Sequence, residues 1–219
     1  MSAAPAVAGT SGNVVVTWNV QPAATLTMHT NYNSSGAFAG ASTFNIYWTS
    51  NGGTTGKCNS GTAPTQADGT NAFGQITPDP VNVTDCLFAN AVNLNVVTTS
   101  TNWNLSEQVT AGSIPAGYFL CALPNGTFSF ASNPAGNLAV AQTTRTAAVG
   151  AITSAATCTG SPANGQNIST TSANLASADA NSTVAAGTNI GLDYELAVPA
   201  NAATLPSGSA TVTYTLVAN

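Results

Sequence analysis

The sequence predicts an all-β protein, built as a single β-sandwich of roughly ten strands with Greek-key-like links and long loops. Three observations predict this fold class. Apolar residues fall on every second position in many short segments, and clusters of Gly, Pro, Asn and Asp separate those segments. The length of 219 residues and the hydrophobic fraction of 43% are enough to bury one core of this kind.

The first predicted strand, Asn13–Val20, is rich in β-branched residues and follows a stretch over residues 1–12 that has no core-facing pattern. We therefore expect a flexible N-terminal leader and one sandwich domain over residues 13–219. An Ala- and Ser-rich stretch over residues 172–179 could form a short piece of helix. Further strands are predicted at Ala24–Thr30, Phe44–Thr49, Val81–Phe88, Val92–Thr99, Trp103–Leu105, Tyr118–Leu123, Thr127–Phe130, Leu138–Gln142 and Ala148–Ile152.

The end of the chain carries the clearest alternation. Apolar residues alternate with small or polar ones over residues 190–198 and again over residues 210–218. Pro199 and Pro206 lie between these segments and cannot donate to a β-ladder. We expect two strands here that are antiparallel neighbours, each with one face on the core and one face in water.

Charged residues make up only 4% of the chain, and its net charge is -5. Lys57 and Arg145 are the only lysine and arginine, so the chain has no basic cluster to neutralise phosphates, and nucleic-acid binding is excluded. No apolar run approaches the length of a membrane span. A surface with so little charge is weakly repulsive toward copies of itself, which suits a protein that packs in an assembly.

The N-terminal residues are small and lack the charged and apolar regions of an intact signal peptide. We interpret them as the start of an exported protein whose signal peptide is absent from this chain. The expected location is therefore outside the cell or at the cell surface.

The four cysteines are widely spaced and form no zinc, thioredoxin-like or haem-attachment motif. Two structural disulfides are therefore predicted, as is common in exported proteins. Neighbour pairing, Cys58–Cys86 and Cys121–Cys158, is the preferred one of the three possible connectivities. Four buried free thiols are the alternative, because an unpaired cysteine often behaves as a small apolar residue.

No catalytic, cofactor or metal site is predicted, and the chain is not expected to be an enzyme. Asp193 and Glu195 lie two residues apart on a strand, so their carboxylates would project from one face about 7 Å apart. Such a pair could serve a glycosidase or form half of a calcium site. Two solvated carboxylates on the outer face of the strand are the favoured interpretation. His29, the only histidine, is expected on a polar strand face away from the core.

Exposed aromatic residues could form a sugar-binding platform. Aromatic side chains are more often core or strand-pair contacts in sandwiches, so this is the less favoured interpretation. The candidates are Trp18, Tyr47, Trp48 and Trp103.

Residues 206–218 contain a Gly-containing turn that leads into alternating Thr and Val, with Tyr214 near the end. In these features the C-terminal strand resembles the final strand of secreted bacterial fimbrial and spore-coat-U-like surface β-sandwich subunits. The resemblance implies an Ig-like or pilin-like sandwich and an extracellular structural subunit. Some bacterial pilins also carry a Lys–Asn isopeptide crosslink, which the lone Lys57 permits, although a solvated lysine is favoured.

The first functional hypothesis is a subunit of an extracellular filament, pilus-like fibre or surface coat that polymerises with copies of itself. The strand over residues 13–20 of one subunit could insert into an open sheet edge of the next. Its pocket-filling residues would be Val14, Val16, Trp18 and Val20. The alternative is that this segment is the first strand of its own domain. A secreted carbohydrate-binding or adhesive module, with a surface glycan as its partner, is the second functional hypothesis.

Overall fold

The computed structural model describes residues 17, 23–40, 46–50, 56–59, 64–100, 103–124, 138–140, 166–178, 188–202 and 208–218. Every regular element among these residues is a β-strand, and the strands form two antiparallel sheets. The predicted all-β class is therefore confirmed. Three predicted strands lie outside the described residues, except for Thr17: Asn13–Val20, Thr127–Phe130 and Ala148–Ile152.

The described part of the chain contains ten strands. They are β1 (Ala24–Thr30), β2 (Ile46–Ser50), β3 (Thr84–Thr98), β4 (Trp103–Gly112), β5 (Phe119–Pro124), β6 (Leu138–Val140), β7 (Gln166–Asn167), β8 (Ala173–Ala178), β9 (Thr188–Val198) and β10 (Ala210–Ala218).

The larger sheet is built on β3, a strand of 15 residues. One edge of β3 pairs with β9, and its other edge pairs with β2 and β1, which lie end to end along it. β5 pairs with the far side of β9, and β7 pairs with β5. Most residues of β9 are buried on both faces of the sheet, so the prediction that one face of this strand lies in water is wrong.

β3 replaces two predicted strands, Val81–Phe88 and Val92–Thr99. The residues between them do not form a turn; the register between β3 and β9 shifts there instead. Asn90 has a φ of 54°, a left-handed conformation that Asn adopts more readily than most residues. Its N–H donates to Oδ1 of Asp193 at 2.7 Å. A local irregularity therefore interrupts the alternation without ending the strand.

The smaller sheet has the order β10-β4-β8-β6. The prediction that the last two strands are antiparallel neighbours is wrong, because β9 lies in the larger sheet and β10 at the edge of the smaller one. Alternation shows which face of a strand is apolar, but it does not show which strand lies beside it. The two strands meet across the core instead, where the hydroxyls of Tyr194 and Tyr214 are hydrogen-bonded.

The short piece of helix considered over residues 172–179 is a strand. β8 occupies this segment and pairs with both β4 and β6. Leu175 and Ala176 are fully buried. Ala favours helices, but burial of this segment between two strands outweighs local propensity.

Both sheets contribute to one hydrophobic core. Removing a large apolar side chain from water contributes about 1.5–3 kcal/mol, so this shared core is a main source of stability. Its largest fully buried members are Phe88, Leu94, Ile190 and Leu192 from the larger sheet, Trp103, Leu105 and Leu175 from the smaller sheet, and Ile168, which follows β7.

A disulfide joins Cys58 to Cys86, and their Cα atoms are 5.6 Å apart. This bond confirms the first predicted pairing and attaches the segment before β3 to the beginning of that strand. No described cysteine has a free thiol, so the alternative of four free thiols is wrong. Cys121 is buried on β5. Cys158 lies outside the described residues, so its pairing with Cys121 stays a prediction.

Gly112 ends β4 with a φ of 72°, and a Cβ at this position would collide with the carbonyl oxygen of Ser209. We expect Gly112→Ala to lower the free energy of unfolding by about 1–3 kcal/mol, because it adds backbone strain and a clash. Denaturant titration followed by tryptophan fluorescence measures the change. Gly208→Ala is the matched control, since a Cβ there meets no atom within 4 Å. Equal effects of the two substitutions would contradict the prediction.

Candidate assembly edge and buried carboxylates

β10 is an edge strand, and among the described residues β4 is its one neighbour in the sheet. Its core-facing side chains, such as Val212 and Leu216, are only partly buried. The core-facing residues Leu105 and Val109 of β4 are 0% and 4% exposed. The two strands carry similar alternation, so their places in the sheet account for the difference: among the described residues, no strand is paired with the second edge of β10. Along that edge the apolar side chains are only partly covered, and no described strand pairs with the main-chain groups.

The main-chain groups at this edge belong to the same core-facing residues. In an antiparallel sheet the N–H and C=O of one residue point to the same side, and successive residues alternate. Val109 donates its N–H to the carbonyl oxygen of Ser169, on the β8 side of β4. Gln108 therefore faces β10, where its partner is Thr213. The main-chain groups of Tyr214, and of every second residue from it, point to the free edge.

β1, at the edge of the larger sheet, lies beside β10, and Cα atoms of the two strands approach within 8 Å. No ladder between these strands is found in the described part of the chain. On the core-facing side of β1, Leu26 is partly buried and Met28 is 41% exposed. This region is referred to as the β1–β10 seam; it comprises Leu26, Met28, Val212, Tyr214 and Leu216. Along it, the core is incompletely covered by the described residues.

The main-chain edge of β1 is closed at one end by Asp68. Oδ1 of Asp68 accepts the N–H of Thr30 at 2.9 Å, and Oδ2 lies 2.8 Å from Nδ1 of His29. Partial burial acts to raise the pKa of Asp68, but hydrogen bonds from Thr30, His29 and Gly69 outweigh it and keep this pKa below its ordinary value. A carboxylate bound to an edge N–H hinders the addition of a strand there. β10 has no comparable cover among the described residues, so its edge is the more open of the two to an added strand.

The contact with Asp68 also bears on the prediction that His29 lies on a polar strand face away from the core. Its side chain lies on the polar face of β1, opposite the core-facing Leu26 and Met28, as the sequence predicts. Its imidazole ring is partly exposed and contacts the carboxylate of Asp68, which lies in a loop. This contact has a structural role, because it joins β1 to that loop.

The predicted donor residues Val14, Val16, Trp18 and Val20 lie outside the described residues. The described residues therefore do not show where these four residues lie. The sequence did not reveal that β10 has a single neighbour among the described strands, because the alternation over residues 210–218 indicates only a strand with one apolar face.

Asp193 and Glu195 are both 0% exposed, so the interpretation as two solvated carboxylates is wrong. They lie on β9, in the middle of the larger sheet, and the sheet face opposite the shared core is also covered there. Asp193 accepts the N–H of Asn90 and so supports the irregularity in β3. Glu195 is hydrogen-bonded to Asp85 on β3. The two carboxyl groups therefore have different structural contacts.

The structure also changes the interpretation of the aromatic residues. Trp103 is 1% exposed and belongs to the core, so it cannot take part in a surface platform for sugars. The side chains of Trp18, Tyr47 and Trp48 lie outside the described residues.

Lys57 is exposed, and its backbone forms an isolated bridge with Thr77. This placement agrees with a solvated lysine, the favoured prediction.

No group of three or more His, Cys, Asp or Glu side chains in the described residues is placed to hold a metal ion. The same residues include no helix that is long and apolar enough to cross a membrane.

Comparison of the chain with protein-family models, with curated proteins and with solved structures gave no match. Function is therefore inferred from the geometry of the seam and the chemistry of the side chains.

Asp85 provides a pH test of the buried carboxyl groups. Burial raises the pKa of Asp85 from 3.8 to about 6, while the hydrogen bond with Glu195 acts to lower it. The folded state therefore binds this proton more tightly than the unfolded state, and the free energy of unfolding decreases as the pH rises from 3.8 to about 6. Asp85→Asn removes the titrating group and therefore this decrease in the free energy of unfolding. Its stability relative to the unmodified protein should rise by about 1–2 kcal/mol between pH 4 and pH 7.

Urea titrations of both proteins at the two pH values measure this difference. Asp68→Asn is the control, because the pKa of Asp68 lies below the tested interval and no such rise is expected. A relative stability of Asp85→Asn that does not change with pH would show that the folded state does not retain this proton.

Proposed function

We propose that the chain is a structural subunit of an extracellular filament, pilus-like fibre or surface coat. Its two sheets form a sandwich that is completed by a strand from another copy. In this arrangement residues 13–20 of one subunit add to β10 of the next, so the partner is the chain itself. The β1–β10 seam is the single observation that carries the proposal, because there a strand with an apolar face has a free edge among the described residues.

The proposed donor matches this edge in length and pattern. It spans eight residues, and β10 spans nine. A strand paired with β10 directs alternate side chains toward the core, and the donor offers apolar groups at these positions in Val14, Val16, Trp18 and Val20. Burial of each large side chain contributes about 1.5–3 kcal/mol, and hydrogen bonds between the main chains set the register.

The charge distribution supports close packing of many copies. Of the seven acidic residues, five are buried, so the surface carries less negative charge than the net charge of -5 suggests. Electrostatic repulsion between copies is correspondingly weak. The disulfide at Cys86 agrees with an oxidising compartment outside the cytoplasm. The buried acids are Asp79, Asp85, Glu107, Asp193 and Glu195.

Deletion of residues 1–20 should abolish fibre formation, because it removes the strand that fills the seam. Negative-stain electron microscopy of the full-length and truncated proteins at equal concentration measures this effect. Regular fibres from the full-length protein alone are the expected result. Dispersed monomers in both samples would contradict spontaneous polymerisation.

A point substitution tests whether fibre formation depends on the apolar face of the donor strand and not merely on the presence of residues 1–20. Trp18→Ser should reduce the yield of fibres about tenfold or more, because Trp18 is the largest side chain that would enter the seam. Asn19→Ser is the matched control on the opposite face of the same strand and should polymerise normally. Equal yields from the two variants would rule out this face as the buried one.

Cysteine crosslinking tests which chain supplies the strand. Asn19→Cys is mixed in turn with Thr211→Cys, Thr213→Cys and Thr215→Cys, whose side chains lie on the exposed face of β10. We expect a disulfide-linked dimer with at least one of these three, seen on a non-reducing gel. Thr110→Cys, one strand further away on β4, is the control that should not crosslink. A bond formed only within one chain carrying both cysteines would assign residues 13–20 to their own domain.

A further inference from the structure

Glu107 is a carboxyl group inside the hydrophobic core. It lies on the core-facing side of β4 between Leu105 and Val109, and it is 1% exposed. Among the described residues, neither of its carboxyl oxygens has a hydrogen-bond partner. Glutamate is almost never fully buried unless it is paired, so a role beyond packing is expected for this residue.

Two tyrosines are the titratable groups that face Glu107. Tyr214 on β10 is its direct cross-strand partner, and Tyr194 on β9 in the opposite sheet lies close enough for the charge of Glu107 to raise its pKa. The two tyrosine hydroxyls are hydrogen-bonded to each other. On β8 the residue opposite Glu107 is Ala173, which does not titrate. No lysine, arginine or histidine among the described residues forms an ion pair with Glu107.

We propose that Glu107 acts as a proton-controlled lock on β10. While its carboxyl group is protonated, β10 stays packed on the core. When the carboxyl group loses its proton, a negative charge without a cation lies in apolar surroundings, which is strongly unfavourable. Separation of β10 from β4 relieves this state, because it lets water reach the carboxylate.

β10 is the strand that opens, because it pairs with fewer strands than the other strands around Glu107. β4 and β8 each pair with a strand on both edges, whereas β10 has β4 alone among the described residues. Leu175 on β8 is fully buried, but the core-facing residues of β10 are partly exposed. Release of β10 therefore breaks one ladder and uncovers side chains that are already partly exposed, whereas release of β4 or β8 would break two ladders.

The direction of the pH response follows from the burial of Glu107. Burial raises the pKa of Glu107 from 4.5 to about 8. Burial also raises the pKa values of both tyrosines, and the nearby Glu107 charge adds to this effect, so their hydroxyls stay protonated while Glu107 titrates. The stability that the protonated carboxyl group contributes is complete below pH 4.5 and decreases as the pH rises to about 8. The lock thus opens on the alkaline side of neutrality.

The lock is a property of the single subunit. Its consequence for assembly rests on the proposed function: once β10 leaves β4, the acceptor edge loses its support, so fibres should form below the opening pH and dissociate above it.

Hydrogen exchange of the full-length protein at pH 6 and pH 9 tests the lock, with each rate divided by the intrinsic rate of that amide at the same pH. The N–H groups of Thr213 and Thr215 face β4 and should lose protection about tenfold at pH 9, since most Glu107 is then ionised. The N–H of Leu94, in the β3–β9 part of the larger sheet, should keep its protection. Unchanged protection in β10, or an equal loss in all strands, would overturn the proposal.

Glu107→Gln keeps the shape of the side chain without its charge, so β10 should be equally protected at both pH values. Asp85→Asn is the matched control, a buried carboxyl group elsewhere, and should retain the loss in β10. If Glu107→Gln does not fold, the ¹³C resonance of the Glu107 carboxyl carbon in the unmodified protein gives its titration midpoint. A midpoint that differs from that of the β10 opening would overturn the lock. None of these readouts measures fibres, so the lock and the proposed filament can fail separately.

Discussion

The antiparallel ladder between β3 and β9 is the constraint on which the rest of the structure depends. β3 pairs along one edge with β9 and divides its other edge between β1 and β2, while β9 carries β5 and, through it, β7. Both central strands are covered on most of both faces. The disulfide at Cys86 lies within this ladder, and Asp193 supports its one irregularity through Asn90. The positions of both edges of the larger sheet therefore follow from this pair of strands.

The chain places most of its few ionisable acids inside the protein. Its exposed strand positions carry neutral groups instead, such as Thr211, Thr213 and Thr215 along β10. This arrangement has two consequences. A surface with few charged groups offers little electrostatic resistance to association with other copies. A core that contains carboxyl groups makes stability depend on pH, because burial raises the pKa values of Asp85 and Glu107.

Tyr214 connects these two consequences at one position of β10. Its hydroxyl is hydrogen-bonded to the hydroxyl of Tyr194, and this contact links the smaller sheet to the larger one. Its cross-strand partner is Glu107, and its main-chain groups point to the free edge. A change in the charge of Glu107 therefore acts on the same residue that an added strand would contact. The proposed assembly edge and the proposed proton lock share this strand for a physical reason. An edge strand pairs with one neighbour, so it can both accept a further strand and separate from the sheet more easily than a central strand.

The sequence by itself determined the all-β class and the positions of β1, β5 and β10, whereas the pairing of Cys58 with Cys86 was the preferred one of three connectivities and the structure decided it. Alternation and turn residues are local signals, so they locate strands without knowledge of the partner. The same locality explains the errors. Asn90 interrupts the pattern of β3 without ending it, and the Ala-rich residues of β8 carry a helical preference that burial outweighs. Only the tertiary structure decided that β9 and β10 lie in different sheets, that Asp193 and Glu195 are covered, and that β10 is an edge. Each of these depends on segments far away in the sequence, because alternation is the same in an edge strand and a central one.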